Sequence, residues 1–320
     1  MNIEPLFTFL RTQHGDSIQK IGAHALLSTR INNTKLQGSS FALMLDLFAS
    51  FLTGINPCLS NTYKQCSSWL KRLENPHQKA QALKDVSADI AQKALELNPG
   101  AFLLIPGGWS ENGSGHAMLY TLTKNQTPHS GNTYTFRVIN TGAGSNYHLQ
   151  VQTATKTKHL LASSYCNIPE EKLLYGESNR EFFQKLLSYK SAPQKADFDP
   201  EIIYEGVLGP LAPYKTDTNL KDQSHLYITA QRSGVCSFAA PKAFLRLAYH
   251  LSNFEPDQYK QLIYTLKETI LSASFKYIKS ASSTPTNLSL LEEMNKELAH
   301  TVEKKDQETK NNCLPLLIAV

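Results

Sequence analysis

Four side chains in this sequence have the types and spacing for nucleophilic chemistry: His116, Asn140, Gln231 and Cys236. A thiol attacks as its thiolate, so it needs a base, a group that orients the base, and donors for the oxyanion formed on attack. Cys236 opens "CSFAAPKAFLRLAYHL", where the pattern turns helical from Ser237. The sulfur therefore stands where free N–H groups and the positive end of a helix favour the charged form. Pro241 fits that helix only close to its first, unbonded turn. Gln231 lies five residues upstream. Its amide can fold back beside the sulfur and, with the Cys236 N–H, form an oxyanion hole.

His116 follows the glycine-rich "PGGWSENGSG" and opens a strand, a rigid yet reachable place for a general base. Asn140 in "RVINTGAG" ends the next strand. "HAMLYTLT" at 116–123 and "TYTFRVIN" at 133–140 are rich in aromatic and β-branched residues and flank a run of turn formers, which predicts a hairpin. With its turn centred near Pro128, residues whose numbers sum to about 256 face each other, and His116 and Asn140 meet that condition. The asparagine oxygen can then fix the imidazole tautomer.

The flanking elements divide into helices and a small sheet. Residues 1–98 read as a helical region, with three- and four-residue apolar spacing in "HALLSTRI", "SSFALMLDLFASFLTG" and "AQALKDVSADIAQKALEL". Residues 99–255 read as the catalytic core. It takes strands at "AFLLIP", in the hairpin, at "YHLQVQTATKTK" and at "SHLYITA", with one helix at "SNREFFQKLLSY" followed by a polar, proline-containing stretch. Residues 256–320 read as C-terminal helices near 256–280 and 286–305, then a polar run and the apolar "LPLLIAV", a docking strand or a packed tail. The fold class is α+β.

The chain has 320 residues, 41% hydrophobic and 18% charged, enough for a packed core and too few charges for a disordered tail. The net charge of +5 is spread out, and no nucleic-acid signature appears, so nucleic acid is not an expected partner. No apolar run reaches the roughly 20 residues of a membrane helix, and the start, "MNIEPLFTFLRTQHGDS", does not read as a secretory signal. The five cysteines, Cys58, Cys66, Cys166, Cys236 and Cys313, are odd in number and far apart, with no C-x-x-C pair. That predicts a reducing compartment, without a disulfide framework or structural zinc.

Each of the four residues also has a plainer reading: a buried apolar cysteine, a strand-end histidine bonded to a carbonyl, a turn asparagine, a surface glutamine. Among the histidines, His148 and His225 share the strand context of His116 but lack its glycine-rich approach. Cys66, in "NTYKQCSSWLKRL", is the rival nucleophile, but helix on both sides would bury it mid-helix. Trp109 is either a substrate contact on a mobile rim or an ordinary half-buried loop residue. "ENGSG" is not G-x-S-x-G, and no Gly-Lys-Ser/Thr follows, so neither a serine elbow nor a phosphate loop is supported.

"GHAMLYTL…YTFRVINTGAG" resembles the histidine–asparagine hairpin of papain-like cysteine proteases, and "Q-x-x-x-x-C-S-F-A" resembles their oxyanion-glutamine and nucleophile segment. The order His116, Asn140, Gln231, Cys236 is similar to the permuted branch of adenoviral and ubiquitin-like-protein proteases and related bacterial effectors. Departures are Ala117 where many members have Trp, Asn140 where Asp or Glu is commoner, and Val235-Cys236-Ser237 in place of Asp-Cys-Gly. The resemblance implies a papain-like core and a cysteine peptidase acting through a thioester on protein or peptide, ubiquitin and ubiquitin-like modifiers included. It needs no metal or cofactor. Acyl transfer to an amine or hydroxyl by the same pair and a catalytically silent interaction module are the alternatives. The expected location is the cytoplasm, and the organisation suits a bacterial effector delivered into a host cell.

Overall fold

The computed structural model describes residues 2–13, 21–22, 41–75, 77–111, 114–127, 131–174, 177–191, 193–194, 198–217, 220–230, 235–253, 255–281 and 285–317. The chain is mixed α+β and falls into two compact units. One takes residues 37–46 and 61–244, the other 1–36, 47–60 and 245–320.

The first unit is built on a five-stranded sheet in the order β6-β3-β2-β1-β7, formed by β1 (Phe102–Glu111), β2 (Ser114–Thr127), β3 (Gly131–Ile139), β6 (Ala162–Pro169) and β7 (Pro193–Gln194). All neighbours are antiparallel except the two-residue β7, which runs parallel to β1. Alternation decides which face is buried deepest. Tyr120 and Leu122 on β2 and Tyr134, Phe136 and Val138 on β3 point to one side. Helices α4 (Lys79–Glu96) and α6 (Glu177–Ser191) close that side; α2 (Phe41–Thr53), α3 (Pro57–Leu73) and the four-residue α5 (Glu170–Leu173) are the other α-helices described between residues 41 and 191. Val86, Ile90 and Ala94 recur every four residues on α4, and Phe183, Leu186 and Leu187 form the matching stripe on α6. Burying each large side chain of this set stabilises by about 2 kcal/mol. The Tyr134 hydroxyl adds a bond to the Ala94 carbonyl at 3.0 Å. A second, three-stranded sheet joins β4 (Gln150–Gln152), β5 (Thr157–Leu160) and β8 (Tyr227–Ile228).

The predicted hairpin forms, with its register moved by two. Leu119 faces Ile139 and Thr127 faces Gly131, so the centre lies at residue 129 rather than 128. "PGGWSE", expected as loop, is strand: β1 runs through it to Glu111, which pairs with Ser114 at the start of β2. Its glycines made it read as irregular. Gly108 has φ +94°, and a Cβ there would lie 2.0 Å from the His116 carbonyl oxygen, so glycine is what allows β1 to press backbone to backbone on β2. "YHLQVQTATKTK" becomes the β4–β5 pair, and "SHLYITA" shrinks to Tyr227–Ile228 behind a 3₁₀ turn.

The second unit is helical. α8 (Pro256–Ala281) and α9 (Pro285–Leu317) pair lengthwise, and α1 (Glu4–Thr12) packs on α8. Ile263, Leu266 and Ile270 form the buried stripe of α8. Lys267–Glu297 at 2.9 Å and Lys305–Glu268 at 2.7 Å tie it to α9. The polar run "EKKDQETKNN" continues α9 rather than ending it, because Glu, Lys and Gln are strong helix formers. The apolar end is therefore helical as far as Leu317, where a strand was one expectation. "HALLSTRI" lies outside the described residues. Among the described residues, no helix is long and apolar enough to cross a membrane.

Candidate active site

α7 (Cys236–Leu251) begins at the cysteine. The Val235 carbonyl accepts from the N–H groups of Phe238 at 3.1 Å and Ala239 at 2.9 Å, which makes Cys236 the first helical residue. Its N–H and sulfur share the end where helical N–H groups have no partner within the helix. Pro241 lies inside the helix rather than in its first turn, and Tyr63 Oη donates to its carbonyl at 2.7 Å. Because proline has no N–H, the carbonyl of Ser237 lacks its usual helical partner.

His116 and Asn140 meet as expected, but diagonally. In the observed register Asn140 continues β3 past Ile139, two positions from the residue opposite His116. His116 Nε2 and Asn140 Oδ1 are 2.8 Å apart. The direction of this bond follows from the asparagine's backbone contacts. Asn140 Nδ2 donates to the Ala143 carbonyl at 2.7 Å, and Gly142 N–H donates to Asn140 Oδ1 at 3.0 Å. A carbonyl only accepts and a backbone N–H only donates, so Oδ1 is an acceptor and His116 Nε2 carries the proton. The other ring nitrogen, Nδ1, is left for the sulfur.

Cys236 is 7% exposed, and His116 hydrogen-bonds to it. Burial alone would push this thiol up. The hydrogen bond and charge of His116, a bond from the Ala117 N–H and the charge of Lys190 together outweigh burial and bring it down to about 7. The thiol is thereby drawn down toward neutral pH despite its burial.

Two neighbours complete the setting. Trp109, directly opposite His116 on β1, lies 4.8 Å from the imidazole, ring centre to ring centre, and 5.1 Å from Phe198. It is buried in the core rather than mobile on a rim. The alternating glycines and polar residues around it gave no sign of a strand. An indole from the neighbouring strand thus stands beside the histidine. Lys190, at the end of α6, is buried with its ammonium 3.9 Å from Glu74 Oε1 and 5.6 Å from the centre of the Phe41 ring. Burial lowers its pKa, while Glu74 and Cys236 hold it up. Nothing in the pattern of "FFQKLLSYKS" marked this lysine.

His116, Asn140 and Cys236 are brought together, and all three belong to one unit. Gln231 lies outside the described residues. Cys66 is fully buried in α3 (Pro57–Leu73), where burial raises its thiol well above the ordinary value. Of the donors an oxyanion could use, the backbone N–H of Cys236 is at the helix tip beside its own sulfur.

Compared with family models, with curated proteins and with solved structures, the chain matches none.

Proposed function

We propose that the chain is a cysteine peptidase that forms a thioester with its substrate. The observation carrying this reading is one hydrogen-bonded series, from the Cys236 sulfur through His116 to Asn140, on a thiol lowered to about 7. In the proposed cycle the Cys236 thiol gives its proton to His116 Nδ1, and the thiolate adds to the carbonyl carbon of a peptide or isopeptide bond. The oxyanion takes hydrogen bonds from the Cys236 N–H and, as the sequence suggests, from Gln231. As the C–N bond breaks, His116 returns the proton to the leaving amine. Water then attacks the thioester, His116 accepts its proton, and as the C–S bond breaks the carboxylic acid leaves and His116 returns that proton to the Cys236 sulfur. Asn140 Oδ1 accepts the hydrogen bond of the Nε2–H throughout and holds the ring to one tautomer.

The substrate is a protein or peptide, with ubiquitin and its relatives as the first class to test. The enzyme is proposed to work in the cytoplasm, including that of a host cell into which it is delivered.

Ubiquitin-family propargylamide probes, read by intact mass, test this directly. A single adduct is expected, on Cys236. Cys236→Ala is expected to lose the adduct and at least about 10³-fold in turnover of an isopeptide-linked reporter. Turnover that survives Cys236→Ala would overturn the reading. Release of the acyl group onto an added amine in place of water would mark a transferase.

A further inference from the structure

The contacts of Asn140 do not end with its own loop. Its Nδ2 also lies 3.1 Å from the hydroxyl of Tyr204, which in turn lies 2.9 Å from Nε2 of His148. On the far side of that ring, His148 Nδ1 is 2.8 Å from the Leu160 carbonyl oxygen. Every bond in this series has a fixed direction. The Leu160 carbonyl can only accept, so His148 Nδ1 carries the proton and His148 Nε2 is an acceptor. Tyr204 must therefore donate its hydroxyl proton to His148, which leaves the phenolic oxygen to accept from Asn140 Nδ2. The order runs unbroken from the His116 imidazole to a backbone carbonyl on β5.

We infer that Tyr204 and His148 are positioning residues for the catalytic imidazole, acting through Asn140. This rests on the cysteine-peptidase reading, because it gives His116 a base to be. Neither side chain touches a reacting atom. Their role is to keep both amide hydrogens of Asn140 bonded, one to Ala143 and one to Tyr204, so that the amide is never free to rotate its oxygen off His116.

The surroundings are built for this. Tyr204 is 6% exposed and His148 3%. Burial is the leading cause that holds His148 down to about 4, opposed by its bond to Leu160 and reinforced by the charges of Lys215 and His159. The ring is therefore neutral at physiological pH, as the order of bonds requires. Burial raises the Tyr204 hydroxyl well above its ordinary value, so it keeps its proton. Tyr147 stacks on the Tyr204 ring at 4.6 Å, nearly parallel at 8°. Gly144, at φ +83°, lets the loop pass close: a Cβ there would lie 2.8 Å from Pro200, 3.1 Å from Tyr204 and 3.2 Å from Asn140 Nδ2. The segment "NTGAGSNYH" thus wraps one tyrosine. That tyrosine sits in a π-helical turn, Ile202–Val207, with the Leu208 N–H bonded to the Ile203 carbonyl at 2.9 Å. Such turns are rare and are over-represented at functional sites.

The test is Tyr204→Phe, which removes one oxygen and keeps the ring and its stack. Hydrogen bonds polarise their neighbours along a chain, so loss of the hydroxyl weakens Asn140 as an acceptor for His116. Turnover per folded molecule is expected to fall about 10- to 100-fold in kcat with KM little changed, the range typical of groups that orient a primary ligand or base. The Nε2 proton of His116, read by NMR, is expected to move upfield and exchange faster with water. His148→Leu should reproduce both effects more weakly, since Tyr204 stays bonded to Asn140. A purely structural tyrosine would lower thermal stability and leave both kcat and the His116 proton unmoved, and that result overturns the inference. Should the variants not fold, ¹⁵N spectra of the wild-type rings decide the matter. His148 is expected as the Nδ1–H tautomer, and the Nε2–H form would reverse the chain and overturn it. Failure of the peptidase reading looks different, because Cys236 would then show no preferential labelling while these ring spectra stand.

Discussion

Cys66 and Cys236 are two buried thiols in the same unit of the molecule, and they are opposites. Cys66 sits mid-helix in α3, fully buried, and burial raises its thiol well above the ordinary value. Cys236 sits at the first position of α7, nearly as buried, yet reaches about 7. Burial acts the same way on both and cannot be the source of the difference. The difference lies in the partners: an imidazole, a strand N–H and a lysine act on Cys236, while burial is what acts on Cys66. Position in a helix decides which sulfur can meet such partners, because a mid-helix residue is walled in by its own turns whereas a first-turn residue faces outward along the axis.

The strongest way to break the contrast is His116→Ala. It removes the two leading contributions that lower Cys236 and leaves burial in place, so the thiol is expected to rise toward the behaviour of Cys66. The sign is fixed: losing a positive, hydrogen-bonding partner raises a thiol. The thiolate fraction at pH 7 therefore falls, and iodoacetamide labelling of Cys236 should slow by at least about tenfold. Its pH midpoint, about 7 in the wild type, should move to the alkaline side. An unchanged midpoint would place the source of the activation elsewhere.

Lys190→Met sharpens the comparison by removing the last-named contributor. Loss of this cation also raises the thiol, but through space and without a hydrogen bond, so labelling at pH 7 is expected to slow only about two- to threefold. Glu74 is left without its lysine in the same variant, so the labelling rate should be compared with that of Glu74→Gln/Lys190→Met. Cys66→Ala has the smallest effect on chemistry. Turnover and Cys236 labelling should be unchanged, while the small cavity lowers stability by about 1–2 kcal/mol, read as a lower urea midpoint.

How much of this could be read from the residues varies from place to place. The hairpin was legible because alternation on β2 and β3 is clean and the turn formers between them are dense. Its register was legible only to within two residues, since the exact turn is set by pairing along the whole ladder. α7 was legible from its apolar spacing, and its start to within one residue from the irregular stretch before it. β6 was not legible: "ASSYCNIP" has weak alternation and becomes strand by pairing with β3. Trp109 was hidden by glycines that serve close strand approach rather than a loop. Tyr204 stood in a polar, proline-rich stretch with no period, and a π turn has no pattern that sequence spacing can reveal. The two residues assigned to positioning therefore differ in kind. His148 was visible as a strand histidine without a role, and Tyr204 was not visible at all.

Pro241 has a mechanical consequence. Its ring deprives Ser237 of a rung, while Tyr63 grips its carbonyl from outside. The turn that carries the sulfur is thus joined to the rest of α7 by one strut fewer than a regular helix would have. Under the proposed peptidase reading, the sulfur thus rides on the part of the helix held by the fewest rungs, which is where room for an acyl group on that sulfur costs least.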